Sequence, residues 1–178
     1  MFLFQLYGDH WLIVLHKATS EKNELLKGVF IASIDHHRID QLVFMDESLK
    51  DECIIAVDIM KGSYTKQRFK EFVISQVLPQ MNPFPSTNSV LVFDNAKIHH
   101  DQELLEYLDA FEVKIKFLSL YLPDLNPIET AFSTIKQFLR RNRYFVDTSY
   151  NPIYPLLVAC SQITPQMTED YFRGLGYF

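Results

Sequence analysis

The sequence predicts an α/β protein, in which helices cover a β-sheet. Short apolar segments rich in β-branched residues alternate along the chain with longer segments of helical periodicity,. Two of the apolar segments end on an aspartate, at Asp46 and Asp94. Strands that alternate with helices are typical of a sheet with helices packed on its faces. We see neither an internal repeat nor a linker between domains.

The first half of the chain gives two helices and two strands. Residues 20–34 place apolar side chains at helical spacing, and residues 65–78 do the same until Pro79 ends the pattern,. The apolar segment 41–46 predicts a buried strand, and the β-branched segment 54–59 predicts a second one,.

The second half continues the alternation. After a proline-containing loop, the chain gives a strand, a helix, a strand and a long helix that runs to about Arg143,. The predicted segments are 90–94 and 113–117 as strands, and 101–111 and 127–143 as helices. A bend follows at Pro152 and Pro155, and a last helix begins with Thr164 as its N-cap and Pro165 at its first position,.

Composition excludes several classes of protein. The chain has 178 residues, a size suited to one domain, and 48% of them are apolar, which excludes a disordered tail,. The apolar run near the start, residues 11–15, is far shorter than the ~20 residues that span a bilayer, and no basic residue precedes it as in a secretory signal,. Cys53 and Cys160 lack zinc-ligand spacing,. We therefore expect an intracellular protein, nuclear or cytoplasmic, without membrane contact.

Three acidic residues stand at positions where a metal site could form. Asp46 and Asp94 each follow a strand, and Glu129 falls in the first turn of the long helix. Because ligand sites of α/β sheets lie at the carboxyl ends of strands, parallel neighbours would bring these carboxylates together. Such a cluster needs a cation, and oxygen ligands select Mg²⁺ or Mn²⁺. The alternative stays open that each Asp caps a turn and that Glu129 forms a capping box with Asn126.

Three motifs carry a resemblance to a known family. Asp94-Asn-Ala-Lys-Ile-His-His100 resembles the second-aspartate motif of the DDE transposases of the Tc/mariner superfamily. Tyr121-Leu-Pro-Asp-Leu-Asn-Pro-Ile-Glu129 resembles their third-acid motif, with 34 residues between the two acids, and Phe44-Met-Asp46-Glu-Ser48 resembles the first. The joint occurrence of three motifs in order is specific, and the similarity runs from about Leu25 to the C-terminus.

The resemblance implies a ribonuclease H-like fold, a mixed sheet flanked by helices. It implies a DDE endonuclease and strand transferase that depends on Mg²⁺ (or Mn²⁺), with Asp46, Asp94 and Glu129 as catalytic metal ligands. Asn95, His99 and Asn126 match supporting positions of the motifs. For His99 the alternative is a histidine at a helix entry that bonds to the backbone.

The chain departs from the family in two places. It has no helix-turn-helix domain ahead of the core, so residues 1–24 are interpreted as an N-terminal remnant and residues 25–178 as the catalytic domain. Only residues 47–53 separate the strand of Asp46 from segment 54–64, where the family has a loop and a further strand. The sequence thus predicts a truncated core lacking one strand. A non-catalytic DNA- or protein-binding remnant with the same fold is the alternative to an active enzyme.

DNA is the expected partner, although the net charge is −5. Residues 61–143 carry 11 basic and 9 acidic residues, against 5 and 10 in residues 1–60. On the long helix, Lys136, Arg140 and Arg143 fall within ~40° of the direction of Glu129. A basic ridge beside a metal site predicts weak, non-specific binding to a phosphate backbone, and a solvated helix face is the alternative. The resemblance also implies a homodimer.

Overall fold

The computed structural model describes residues 2–3, 11–12, 14–15, 24–34, 37–45, 54–61, 65–118 and 125–177. Seven strands lie within these ranges: β1 (Phe2–Leu3), β2 (Trp11–Leu12), β3 (Val14–Leu15), β4 (Leu42–Met45), β5 (Met60–Lys61), β6 (Val90–Phe93) and β7 (Lys114–Phe117). The short strands β1 and β3 pair with each other, as do β2 and β5, and both pairs are antiparallel.

The central sheet consists of three parallel strands in the order β4-β6-β7. Its register aligns Met45 with Phe93 and Phe93 with Phe117, so the three strands end at one edge. Every residue of β4 and β6 is buried, as expected for strands with helices on both faces,. This confirms the parallel pairing of the strands that precede Asp46 and Asp94, and Asp46 itself lies outside the described residues.

Helices account for most of the remaining described chain. They are α1 (Glu24–Ile34), α2 (Lys66–Phe72), α3 (Gln102–Ala110), α4 (Pro127–Arg141), α5 (Arg143–Thr148), α6 (Ile153–Cys160) and α7 (Pro165–Gly174). Two predicted N-caps, Asn126 for α4 and Thr164 for α7, are confirmed by side chains that accept a backbone N–H of the first turn,. Asp101, predicted as the first residue of a helix, caps α3 in the same way. Of the described helices, none is long and apolar enough to cross a membrane.

Two apolar clusters form the core, one on each face of the sheet. Leu42, Phe44, Val90 and Val92 pack with α1, α4, α6 and α7. Val43, Met45, Leu91 and Phe93 pack with α2, α3 and the turn that follows α2. Because successive side chains of a strand point to opposite faces, β4 and β6 each contribute two residues to each cluster,. The result is a three-layer arrangement in which α4 covers one face.

The predicted strand at residues 54–59 is wrong. Ile54 makes an isolated bridge, residues 55–59 are irregular, and the strand β5 begins only at Met60. The β-branched residues are only partly buried, and they are divided between the two clusters, with Ile54 and Ile59 in one and Ile55 in the other. Asp58 forms a bidentate ion pair with Arg68 on α2, at 2.7 and 2.8 Å, which ties this segment to a helix.

The helical boundaries differ from the prediction at three places. After α2 the chain continues through a π-helical turn, Val73–Val77, and a 3₁₀ turn that contains Pro79, so the proline does not end the helical path. The bend expected near Pro155 is helix α6, because a proline is tolerated in a first turn, where the backbone N–H has no helical acceptor,. The long helix ends at Arg141, and Arg143 begins α5.

Candidate active site

Asp94 lies directly after β6, at the edge where the parallel strands end. Its Oδ1 accepts a hydrogen bond from the backbone N–H of Ala96 at 2.9 Å, which makes a turn characteristic of aspartate,. The same oxygen lies 2.6 Å from Nδ1 of His99. These two contacts fix the orientation of the carboxylate, and both fall on one of its two oxygens.

His99 is the residue that holds Asp94. Its side chain is only 3% exposed, and its ring packs against Phe69 and Phe93, with centroids 4.4 and 5.3 Å away. Nδ1 also lies 3.1 Å from the backbone carbonyl of Asp94. The carboxylate oxygen Oδ1 and the backbone carbonyl of Asp94 are both hydrogen-bond acceptors. Nδ1 of His99 therefore carries the hydrogen and donates it. The backbone contact expected for a helix-entry histidine is therefore present together with a contact to the carboxylate.

Asn95 and His100 form a second polar pair beside Asp94. Oδ1 of Asn95 lies 2.6 Å from Nε2 of His100. The ring of His100 stacks on Phe117, the last residue of β7, with centroids 4.4 Å apart. This pair connects the exits of β6 and β7. Sequence reasoning assigned no role to His100, although its position next to His99 in the motif was the available signal.

Glu129 stands in the first turn of α4, as predicted. The side chain of Asn126 accepts the N–H of Ile128 at 3.2 Å, and Pro127 occupies the first helical position,. Just before the cap, the carbonyl of Leu125 accepts the hydroxyl of Tyr177 at 2.6 Å. Burial raises the pKa of Tyr177, so this hydroxyl keeps its proton,. The start of α4 is thus held by its cap and by the C-terminal segment.

Lys136 and Arg140 share the electrostatic environment of Glu129. Partial burial lowers the pKa of Lys136, the Glu129 carboxylate raises it, and Arg140 lowers it further. These effects agree with the predicted common direction of Glu129, Lys136 and Arg140 along α4. Arg143 belongs to the next helix instead and forms an ion pair with Asp147 at 3.5 Å.

The predicted three-carboxylate site is described only in part. Among the described residues no three Asp, Glu, His or Cys side chains form a group that could hold a metal ion, and Asp46 is not among these residues. The donors that the sequence offers are carboxylate oxygens, which suit Mg²⁺ or Mn²⁺. The contacts of Asp94 fit this use, because hydrogen bonds from neighbouring groups orient a carboxylate that binds a metal,.

Replacing the α4 cap tests how Glu129 is positioned. We expect Asn126→Ala to lower the free energy of unfolding by about 1 kcal/mol, because an N–H of the first turn loses its acceptor. It should also weaken Mn²⁺ binding, because Glu129 lies in the freed turn. Thr164→Ala, at the cap of α7, is the matched control and should cost similar stability without changing Mn²⁺ affinity. Chemical denaturation and calorimetric titration measure the two effects. Equal Mn²⁺ affinity in both variants would contradict this account.

Comparisons with known proteins identify the family. Residues 33–149 match the model of the DDE superfamily endonucleases, and the chain therefore belongs to this family. No curated protein matches the sequence. Among solved structures, the catalytic domain of Mos1 mariner transposase superposes with a TM-score of 0.67 at 15% identity, over 91% of this chain and 92% of that chain.

Further Mos1 structures give the same result. The catalytic domain with raltegravir and Mn superposes with a TM-score of 0.67 at 15% identity, over 90% of this chain and 92% of that one. The Mos1 strand transfer complex gives 0.62 at 13% identity, over 97% of this chain but 62% of that chain. At such identities the likeness establishes the fold. The predicted DDE endonuclease family and the ribonuclease H-like α/β fold are confirmed.

Proposed function

We propose that this transposase-derived domain cleaves and joins DNA with a divalent metal held by Asp46, Asp94 and Glu129. The observation that carries the proposal is the parallel register of β4 and β6, which pairs Met45 with Phe93. The two residues that follow, at positions 46 and 94, are the aspartates of the first two motifs. Glu129, in the first turn of the capped helix α4, is the proposed third ligand.

The chemistry assigned to each part follows from its surroundings. Asp46, Asp94 and Glu129 would hold the divalent metal, which would supply activation of the attacking oxygen and stabilisation of the leaving oxygen in a phosphoryl transfer. His99 and the N–H of Ala96 orient the carboxylate of Asp94 before any substrate arrives. Glu129 is stabilised as an anion by the N-terminus of α4. Lys136 and Arg140 lie on the side of α4 that would meet the phosphate backbone.

The metal preference is supported by the family and by the solved neighbours. The Mos1 catalytic domain has been solved with Mn and with Mg, in both cases with raltegravir. The chain offers oxygen ligands at all three proposed positions, which agrees with either ion. We expect Mg²⁺ and Mn²⁺ to support the reaction.

A purified-protein nicking assay tests the proposed function. Supercoiled plasmid should be converted to the nicked form with Mg²⁺ or Mn²⁺ and should remain intact with EDTA. If the protein unfolds cooperatively, and is therefore folded, but does not nick plasmid with either Mg²⁺ or Mn²⁺, the proposal is contradicted and the non-catalytic remnant is favoured. The short segment 47–53 is the feature of the sequence that favours this second function.

DNA binding is proposed to be weak, non-specific and sensitive to salt. If Lys136, Arg140 and Arg143 each contact one phosphate, the slope of log K against log salt should be about −3 on duplex DNA. Lys136→Ala should reduce the slope by about one, whereas Arg173→Ala on α7, where Arg173 pairs with Glu169, should leave it unchanged,. A sequence-specific complex that survives high salt would contradict this. We also propose that two copies of the chain act together, and a Mos1 mariner paired end complex is among the structures with a similar fold.

A further inference from the structure

One corner of the domain exposes tyrosine rings among arginines. Tyr144 is 83% exposed, Tyr150 is fully exposed, and Tyr154 is more than half exposed. We call this surface the tyrosine–arginine corner, and its members are Arg140, Arg141, Arg143, Tyr144, Tyr150 and Tyr154. Aromatic rings are normally more buried than these three, because removing apolar surface from water is favourable.

The corner is built by the break after α4. Asn142 interrupts the helix, and its side chain donates to the carbonyl of Phe138 at 2.9 Å. Helix α5 then packs Val146 against the core, and Phe145 meets Tyr154 of α6 edge to face, with centroids 5.9 Å apart. At 100° per residue, Tyr144 points away from the direction of Val146. The packing of Val146 therefore holds the ring of Tyr144 outward.

Charge at this end of the domain is positive. Residues 130–160 carry four basic residues and one acidic residue, in a chain whose net charge is −5. The single acid, Asp147, pairs with Arg143 at 3.5 Å, while Arg140 and Arg141 are exposed. A cationic surface in an acidic protein indicates an anionic ligand.

Helix α4 connects the corner with the proposed active site. Arg140 follows Glu129 by 11 residues, which places it ~16 Å further along the helix axis,. Lys136 lies between them on the same side of the helix. A DNA strand that leaves the site along α4 would reach the tyrosines after about five nucleotides at the ~3.4 Å rise of one strand.

We propose that the tyrosine–arginine corner binds single-stranded DNA by stacking bases on Tyr144, Tyr150 and Tyr154 while the arginines contact phosphates. The inference rests on the proposed function in taking DNA as the ligand. Exposed rings beside cations are the usual means of holding unpaired bases, because every base offers a flat face. In a duplex the bases already stack on each other, so the corner favours a strand that is unpaired there.

The test measures binding of metal-free protein, so that cleavage plays no part. A fluorescent dT oligonucleotide is titrated with the whole chain in EDTA, and its anisotropy is followed. Tyr144→Ala should weaken binding about tenfold, and Tyr144→Phe should bind like the original protein because the stacking face remains. Tyr107→Ala is the control, since Tyr107 is also exposed but lies on α3 among Glu103, Glu106 and Asp109.

The outcomes separate this inference from the proposed function. Tyrosine-dependent binding of single strands supports the inference whether or not the protein nicks plasmid. The protein could nick plasmid while the triple variant Tyr144→Ala, Tyr150→Ala and Tyr154→Ala binds single strands with unchanged affinity. That result would overturn the inference but not the proposed function. If the tyrosine variants lose affinity for duplex DNA and for single strands equally, the inference is also overturned. If they bind DNA as the original protein does but no longer self-associate, the inference is overturned as well, and the corner is assigned to contact between two copies.

Discussion

Asp94→Asn is expected to lower the rate of Mg²⁺-dependent plasmid nicking by about a hundredfold or more, without unfolding the protein. The amide keeps the size of the carboxylate and can still accept the N–H of Ala96, so the turn after β6 persists,. It removes the negative charge that a metal ion needs, and even the partners of metal ligands contribute about 10- to 100-fold to affinity or activity. Initial rates over a Mg²⁺ series, together with thermal unfolding, measure the result.

A matched variant keeps this prediction specific. Asp109→Asn changes an exposed aspartate in the last turn of α3, which leads into the start of β7 and not to the edge where the strands end, and it should nick plasmid at the original rate. If Asp94→Asn and the original protein nick at equal rates, Asp94 is not a metal ligand and the nuclease activity arises elsewhere.

Phe172→Ala is expected to lower the free energy of unfolding by about 3–5 kcal/mol, the usual cost of deleting a buried aromatic ring. Phe172 is fully buried, and its ring contacts Phe44 of the central sheet and Tyr177, with centroids 5.4 and 5.6 Å away. Because Tyr177 in turn bonds to Leu125, the loss should also loosen the start of α4. Urea denaturation of the metal-free protein measures it.

The control for this prediction is Phe111→Ala. Phe111 is half exposed at the end of α3, where its ring stacks only on Tyr107 among the aromatic contacts of the described residues. We expect it to cost about 1 kcal/mol or less. Similar losses in the two variants would show that α7 does not pack against the sheet as described.

The buried sheet and its caps could be predicted because their signals are local. The apolar runs of β4 and β6 are bounded by polar residues, and a strand of this kind is recognised without knowing its partner,. The cap at Asn126 and the proline after it specify the start of α4 within a few residues,. The parallel pairing of β4 and β6 was predicted from the two aspartates that follow them, because a shared metal site requires it, whereas the register comes from the structure.

The secondary-structure predictions were wrong where contacts between residues far apart in the sequence determine the local structure. Residues 55–59 have strand-like composition, but Ile55 and Ile59 pack into the clusters on opposite faces of the sheet. The ion pair between Asp58 and Arg68 also ties this segment to α2. Helix α6 is stabilised by Leu156 and Ala159, which are buried in the same cluster as α4, and α4 ends before Asn142, whose side chain donates to the carbonyl of Phe138. Arg143 consequently belongs to α5 and not to the basic face of α4 on which the helical period had placed it.

The candidate site was predicted as a set of positions rather than as contacts. The sequence named Asp94, His99 and Glu129, but only the structure brings Nδ1 of His99 to the carboxylate of Asp94 and Asn95 to His100. Those contacts depend on where a 3₁₀ turn, Lys97–His99, directs its side chains, and the pattern of apolar and polar residues does not encode that direction,.

Calorimetric titration with Mn²⁺ tests the central claim, that Asp46, Asp94 and Glu129 share a metal site, most directly. The original protein should bind two ions, and Asp46→Asn, Asp94→Asn and Glu129→Gln should each weaken this binding about tenfold or more, while Asp109→Asn should not. Mn²⁺ binding that is unchanged in all three variants would contradict the claim.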